Sequence, residues 1–250
     1  MPAPRPRALS ISLTALALLA TAGCAKATVA DAPWGAPLDA LNAAAESVNG
    51  GVSFENWITA AGADVESEGD EIPSEGKLRI VQTIDNGTFE VGSELRFVGD
   101  DLWMRIDGVD GKSEWGHFAD GSMVAAMSNV VGPSVWVPEL LAQVTTVERV
   151  SERKYGGLLD LTEADPDRTG LEPALTRDLP DEAEEVEFGV QLNADGSLAN
   201  FTYEIENSVK GNMQVTYSFT MHGSPKDVTA PDGKIVEVTD DNALDWLSGN

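Results

Sequence analysis

The chain has 250 residues, with 42 Asp+Glu against 16 Lys+Arg and a formal charge of −26 at pH 7. No basic patch breaks this acid excess, so the surface repels phosphate backbones and anionic head groups, which excludes nucleic-acid binding as a function class. With a single cysteine no disulfide can form within the chain, and the acid excess itself reads first as solubility outside a cell.

The first segment has the order of a secretory leader. Arg5 and Arg7 form a short positive region, and Ala8 to Ala22 follows without a charge. That run is about 15 residues, short of the roughly 20 that cross a bilayer as a helix. Thr21, Ala22 and Gly23 then lead into Cys24, the only thiol. An apolar run ending on small residues and a cysteine resembles the lipobox of bacterial lipoproteins, in which the thiol receives a diacylglyceryl group and the chain is cut just before it. The plainer reading is an ordinary signal peptide with an incidental cysteine. On the lipobox reading residues 1–23 are leader, Cys24 is the anchor, and the mature protein sits on the outer face of the cytoplasmic membrane. Loss of Arg5 and Arg7 makes that mature chain two units more negative still, so covalent lipid rather than surface charge must attach it.

Residues 24–36 are small and polar apart from Pro33 and Trp34, which suits a tether. From residue 37 to 250 no linker marks a boundary, and a single domain is expected. Pro37 can open a helix, with Leu38, Leu41, Ala45 and Val48 at helical spacing up to Gly50–Gly51. Leu78–Ile84 and Thr88–Phe97 flank Asn86–Gly87, a strong hairpin signal. In the second run Phe89, Val91, Leu95 and Phe97 share one face, and Glu90, Glu94 and Arg96 the other. Leu102–Ile106 and a short piece around Trp115 extend the pattern.

Helical spacing returns in the middle of the chain. Met123, Ala126, Met127 and Val130 form a stripe, Pro138 can start a helix with Leu140, Leu141 and Val144 inward, and Gly170–Thr176 suits a turn or two. Beyond these, Val186, Phe188, Val190 and Leu192 alternate with polar residues, as do Phe201, Tyr203 and Ile205, then Met213, Val215, Tyr217, Phe219 and Met221. Alternation over so many runs means one wet and one buried face, hence antiparallel strands rather than a doubly wound parallel sheet. The fold class is therefore α+β: a large curved antiparallel sheet with a few short helices over its apolar face.

The run of elements, with LWMRI and a following SEW, a PELL helix, KYGGLLDL, VQLNADGSLANFTYEI and YSFTMHGSPKDVTAP, resembles actinobacterial lipoproteins of the LppX/LprG type. These belong with the LolA/LolB-like carriers of lipids and lipoproteins. The resemblance implies a half-barrel whose concave face, lidded by short helices, encloses an apolar cavity, and a role in binding or transferring a lipid or lipoglycan. It leaves a membrane transporter open as partner. Apolar side chains that can line such a space are Trp103, Met104, Met123, Met127, Trp136, Leu140, Met213, Val215, Tyr217 and Phe219, and methionine suits such a wall because its thioether repacks. Each of them also suits a plain packed core. An envelope interaction or sensor lipoprotein with a solid core is the alternative function.

Catalysis finds little support. His117 and His222 are the only histidines and lie far apart, each reading as a solvated turn residue. Neither a nucleophile-elbow serine motif, nor a paired-histidine zinc motif, nor a phosphate-binding glycine loop occurs. Asp107 to Glu114 lacks the alternating ligands of a calcium loop. No catalytic residue, metal or cofactor is expected.

Overall fold

The computed structural model describes residues 36–60, 63–107, 114–118, 132–165, 168, 181–207, 213–239, 241–243 and 246. The segments read as leader (1–23) and tether (24–36, except Ala36), with Cys24, lie outside the described residues, as do the stripe from Met123 to Val130 and the segment Gly170–Thr176.

Pro37 opens helix α1 (Pro37–Ser47), where a ring-fixed φ fits and no amide hydrogen is needed. Leu41, Ala44 and Ala45 are buried on one side of it, and a 3-10 turn (Val48–Gly50) ends it. Strands β1 (Val52–Ala60), β2 (Ala63–Ile72), β3 (Lys77–Asp85), β4 (Glu90–Val98), β5 (Asp101–Asp107) and β6 (Trp115–Phe118) follow as a meander. After helix α2 (Pro133–Ala142) come β7 (Val144–Ser151), β8 (Lys154–Leu159), β9 (Val186–Leu192), β10 (Leu198–Asn207), β11 (Met213–Met221) and the short β12 (Ile235–Glu237). All of these strands belong to one open, curved sheet in the order β12-β6-β5-β4-β3-β2-β1-β11-β10-β9-β8-β7. The β1–β11 pairing, with Phe54 opposite Met221 and Ile58 opposite Tyr217, joins the two meanders. The architecture is a sheet-dominated α+β single domain.

The hairpin expected at Asn86–Gly87 forms. The Asn86 Oδ1 accepts from the amides of Thr88 and Phe89, both at 3.0 Å, and Gly87 takes φ +76°, which a side chain would strain. Of the second run, Val91, Leu95 and Phe97 lie in β4, whereas Phe89 sits in the turn and is exposed.

One face of the sheet carries the helices. Phe54, Phe201, Tyr203, Tyr217, Phe219 and the inward residues of β9 are buried there with Leu41 and Ala44 of α1 and Trp136, Val137, Leu140 and Leu141 of α2. The Trp136 and Phe219 rings lie 4.0 Å apart. Each large apolar side chain enclosed this way stabilises the fold by about 1.5–3 kcal/mol. A second cluster forms on the same face at the far side of the sheet. There Leu95, Leu102 and Phe118 are covered by Val238, Ala243 and Trp246 from the C-terminal segment.

Three expectations are corrected. The helix starts at Pro133, not Pro138, which is an interior residue of α2. Pro133 occupies the first turn, where a missing amide hydrogen costs nothing, so the second proline is tolerated as a single lost hydrogen bond. Val144 belongs to β7 and not to that helix. The sheet is also not wholly antiparallel, because β12 pairs parallel with β6. The strap between β11 and β12 crosses the face opposite α1 and α2 before reaching that edge: the Lys226 amide donates to Asp70 and Arg96 donates to the Thr229 carbonyl. Having crossed over, the chain meets β6 running in its own direction.

Candidate functional site

Strand register places four residues in one row across β1–β4 on the helix-bearing face. Asn56 stands opposite Ser67, Ser67 opposite Gln82, and Gln82 opposite Ser93. Adjacent strands are about 4.8 Å apart, so the row spans roughly 14 Å. On its side nearer the β1–β2 and β3–β4 turns run Ile58, Val65, Ile84 and Val91, all half-buried. On its other side lie Phe54, Ile80 and Leu95, with Met104 next to Leu95 on β5, while Ile106, opposite Ser93, ends the row with an apolar side chain. Between the helix-covered cluster and the C-terminal cluster there is thus an apolar strip whose side chains keep part of their surface in water. Ile58, Ile80, Ile84, Val91, Met104 and Ile106 are all of this half-buried kind.

The strip is polar only along its row. Gln82 Nε2 lies 3.5 Å from the Ser67 hydroxyl. Asn56 Oδ1 is enclosed and has no hydrogen-bond partner among the described residues. The Tyr203 hydroxyl on β10 is in the same condition. Burial, with a smaller effect of neighbouring Tyr217, pushes that phenol well above its ordinary value, so it remains protonated.

One acid stands at the margin of this face. Glu71 is 6% exposed and accepts from the Ser134 amide at 2.8 Å and from the Ser134 hydroxyl. It thereby caps α2 from another strand, supplying the acceptor that the cap residue Gly132 lacks. Burial raises the Glu71 carboxyl, and the Ser134 hydrogen bonds partly offset this.

The opposite face is ionic. Glu94, 5% exposed, accepts from Arg79 Nε at 2.8 Å, Arg96 Nε at 2.9 Å and Arg105 Nη2 at 3.3 Å. Burial opposes its charge, but hydrogen bonds from Arg79 and Arg96 outweigh that and hold it below the ordinary carboxylate value. Arg96 and Arg105 also lie over the Trp115 ring, at 4.9 and 5.0 Å. A cleft of about 240 Å³ opens beside this network, where Arg79, Arg96 and Lys226 meet Glu68, Asp70 and Asp227. Its charges balance, so it exerts little pull on an ion of either sign.

The candidate lining residues separate. Tyr217 and Phe219 lie on the helix-bearing face, and Trp136 and Leu140 are buried in α2 against it. These four sit inside the close-packed cluster rather than along the half-buried strip. Met104 borders the strip. Trp103 does not: it is opposite Arg96 and His117 in register and stacks on the His117 ring at 4.9 Å, on the ionic face. Consecutive strand residues point to opposite faces, so Trp103 and Met104 cannot both line one space. Met123 and Met127 lie outside the described residues, as do the side chains of Met213 and Val215.

Sequence reasoning missed Asn56, Ser67, Glu71 and Gln82, because polar residues interrupt the very alternation that marks a buried face. His117 also departs from expectation. It is a strand residue held between Glu237 Oε1 at 2.9 Å and Asp101 Oδ1 at 3.1 Å. His222 lies just past β11 and meets Glu55 at 3.3 Å. No protein-family model and no curated protein matches this sequence.

Proposed function

We propose that this is a lipid-anchored envelope protein that binds or transfers a lipid or lipoglycan on the helix-bearing face of its sheet. In this reading the sheet is a half-barrel, that face is its concave side, and α1 and α2 are part of a lid. Acylated Cys24 holds the domain at the outer surface of the cytoplasmic membrane, from which a ligand can enter the strip.

The observation that supports it is the half-buried apolar strip over β1–β5. An ordinary core closes over such residues, whereas here Ile58, Ile84 and Val91 keep surface that an acyl chain would cover. Burial of that surface stabilises a bound chain by about 25 cal/mol per Å² without directional contacts. On the opposite face Arg79, Arg96 and Arg105 are engaged by Glu94, and the cleft beside them has balanced charges among the described residues.

Lipid extraction tests the proposal. Protein purified from membranes in mild detergent is extracted with organic solvent, and the extract is analysed by mass spectrometry. A stoichiometric acylated species beyond the covalent anchor supports the carrier. An extract holding only detergent, together with no uptake of added lipid, leaves the solid-core interaction protein as the better account.

A further inference from the structure

The row across the apolar face is an arrangement that a packing core does not explain. Asn56, Ser67, Gln82 and Ser93 are contributed by four successive strands at directly opposed positions. Apolar side chains flank the row on both sides, and Ser67 is only 8% exposed. A polar group enclosed without a partner costs about 1–3 kcal/mol, and Asn56 Oδ1 is such a group among the described residues. Leucine or valine would fit a sheet face of this kind at no such cost.

We infer that this row is the polar subsite of the lipid site, and that Asn56 accepts a hydrogen bond from the ligand. The inference rests on the lipid-carrier reading above and names the ligand chemistry it requires. The orphan atom is an acceptor, so the ligand brings a donor: a free hydroxyl or an amide N–H close to its acyl chains. An ester-only lipid offers acceptors alone and leaves Asn56 unpaired. The group is also uncharged. Strands β1–β5 put no lysine or arginine on this face among the described residues; Arg79, Arg96 and Arg105 all belong to the ionic network opposite. An anionic phosphate buried beside the row would have no counter-charge, and an acidic chain would repel its approach. The bound molecule is an uncharged acyl lipid with a hydrogen-bond donor at its linkage. Its chains run along Ile58, Ile84 and Val91 on one side and Ile80 and Met104 on the other.

A matched pair of ligands tests it on the purified full chain stripped of lipid. 1,2-Dioleoylglycerol carries one hydroxyl, and its 3-O-methyl ether has the same chains without the donor. Each is titrated against N-phenyl-1-naphthylamine bound to the protein, and fluorescence loss is read. The expected result is displacement by dioleoylglycerol at roughly five- to tenfold lower concentration than by the ether, the worth of one desolvated hydrogen bond. Asn56→Leu should remove the preference while leaving the ether's affinity unchanged or improved, with folding checked by its melting curve. Asn56→Ser, which shortens the side chain, serves if the leucine variant does not fold. Equal displacement by both lipids in the wild type overturns the subsite but leaves the carrier reading standing, as does a preference that survives in the variant. If neither lipid nor dye binds the wild type, the carrier reading falls and the subsite with it.

Discussion

Gly132 lies so close to Glu71 that a Cβ built on it would fall 2.4 Å from the carboxyl carbon. This contact lets β2 reach the first turn of α2, since only an absent side chain leaves room for the carboxylate to accept from Ser134. Gly132→Ala should therefore move either Glu71 or the helix, at a cost of roughly 1–3 kcal/mol. In a Glu71→Ala background the same change should cost much less, because the clashing group is gone. Urea unfolding of the two single variants and the double variant measures this coupling; additive effects would mean that the contact does not set the seat of α2.

Glu94 holds Arg79, Arg96 and Arg105 together, so its loss leaves three cations side by side. Glu94→Ala should destabilise by roughly 2–4 kcal/mol. That is below the full cost of breaking a deeply buried pair, because the three arginine side chains are 22–32% exposed. Glu68, 60% exposed and 3.7 Å from Arg79, is the control, and its alanine variant should shift stability by about 0.5 kcal/mol or less. The Glu94 carboxyl titrates below its ordinary 4.5 in the folded state. Its contribution is present above the unfolded value and is lost as pH falls through the folded one. The gap between wild type and Glu94→Gln should therefore close in acid.

The edge strand β12 is held in part by a histidine. His117 bridges Asp101 and Glu237 and stacks on Trp103. Partial burial opposes its charge, but the hydrogen bonds to Glu237 and Asp101 prevail and raise it above 6.5. A raised histidine stabilises fully below its unfolded value, and that stabilisation disappears as pH climbs through the folded one. Wild type should lose stability relative to His117→Gln as pH rises from about 6 to about 9. An imidazole titration followed by NMR gives the folded value directly, and a value at or below 6.5 would remove the basis for this expectation.

The legible and illegible parts of the sequence divide along a physical line. Strands β9, β10 and β11 announce themselves because Val186–Leu192, Phe201–Ile205 and Tyr217–Met221 set apolar residues against polar ones at every step. Asn86–Gly87 fixes the β3–β4 turn locally. Strands β1 and β2 carry no such signal. The inward side of β2 reads Val65, Ser67, Gly69, Glu71, and its outward side is Asp64, Glu66, Glu68, Asp70, so nearly every position is polar or small. Those residues form a strand because β1 and β3 pair with them on both sides, which is a tertiary cause that no window on β2 alone contains. The candidate site was hidden by the same circumstance. Alternation finds apolar walls such as Tyr217 and Phe219, whereas the row from Asn56 to Ser93 appears only once register sets four strands side by side. Trp103 shows the converse error: an aromatic residue read as interior belongs to the ionic face, where His117 and Arg96 supply its neighbours.

Membrane attachment is tested apart from the fold. Cys24 precedes Pro37, the first residue of α1, by 12 intervening residues, so on the lipid-anchor reading Cys24→Ala should leave the melting temperature of the domain unchanged. One acyl chain binds a membrane marginally and two or three hold firmly, so loss of the thiol should shift the protein from the membrane fraction to the soluble one. Fractionation with immunodetection reads the outcome. A variant that stays wholly in membranes would show that something other than this thiol attaches the chain.

Two tryptophan substitutions separate the strip from the packed cluster. Leu140 is 0% exposed within the helix-covered cluster, and a larger ring there has nowhere to go. Leu140→Trp should overpack and cost about 1–3 kcal/mol or more, whether or not lipid is bound. Ile84 is half-buried on the strip beside Val65 and Val91, so a tryptophan at that position can extend over the strip. Ile84→Trp should change stability by less than about 1 kcal/mol and instead occupy the surface that an acyl chain would cover. The paired measurement is melting temperature and bound lipid for both variants. Reduced lipid with intact folding in Ile84→Trp, beside a large loss of stability in Leu140→Trp, is the pattern of a site laid on a solid core. If Ile84→Trp unfolds as readily as Leu140→Trp, the strip is packed like the rest of that face and has no space for a chain.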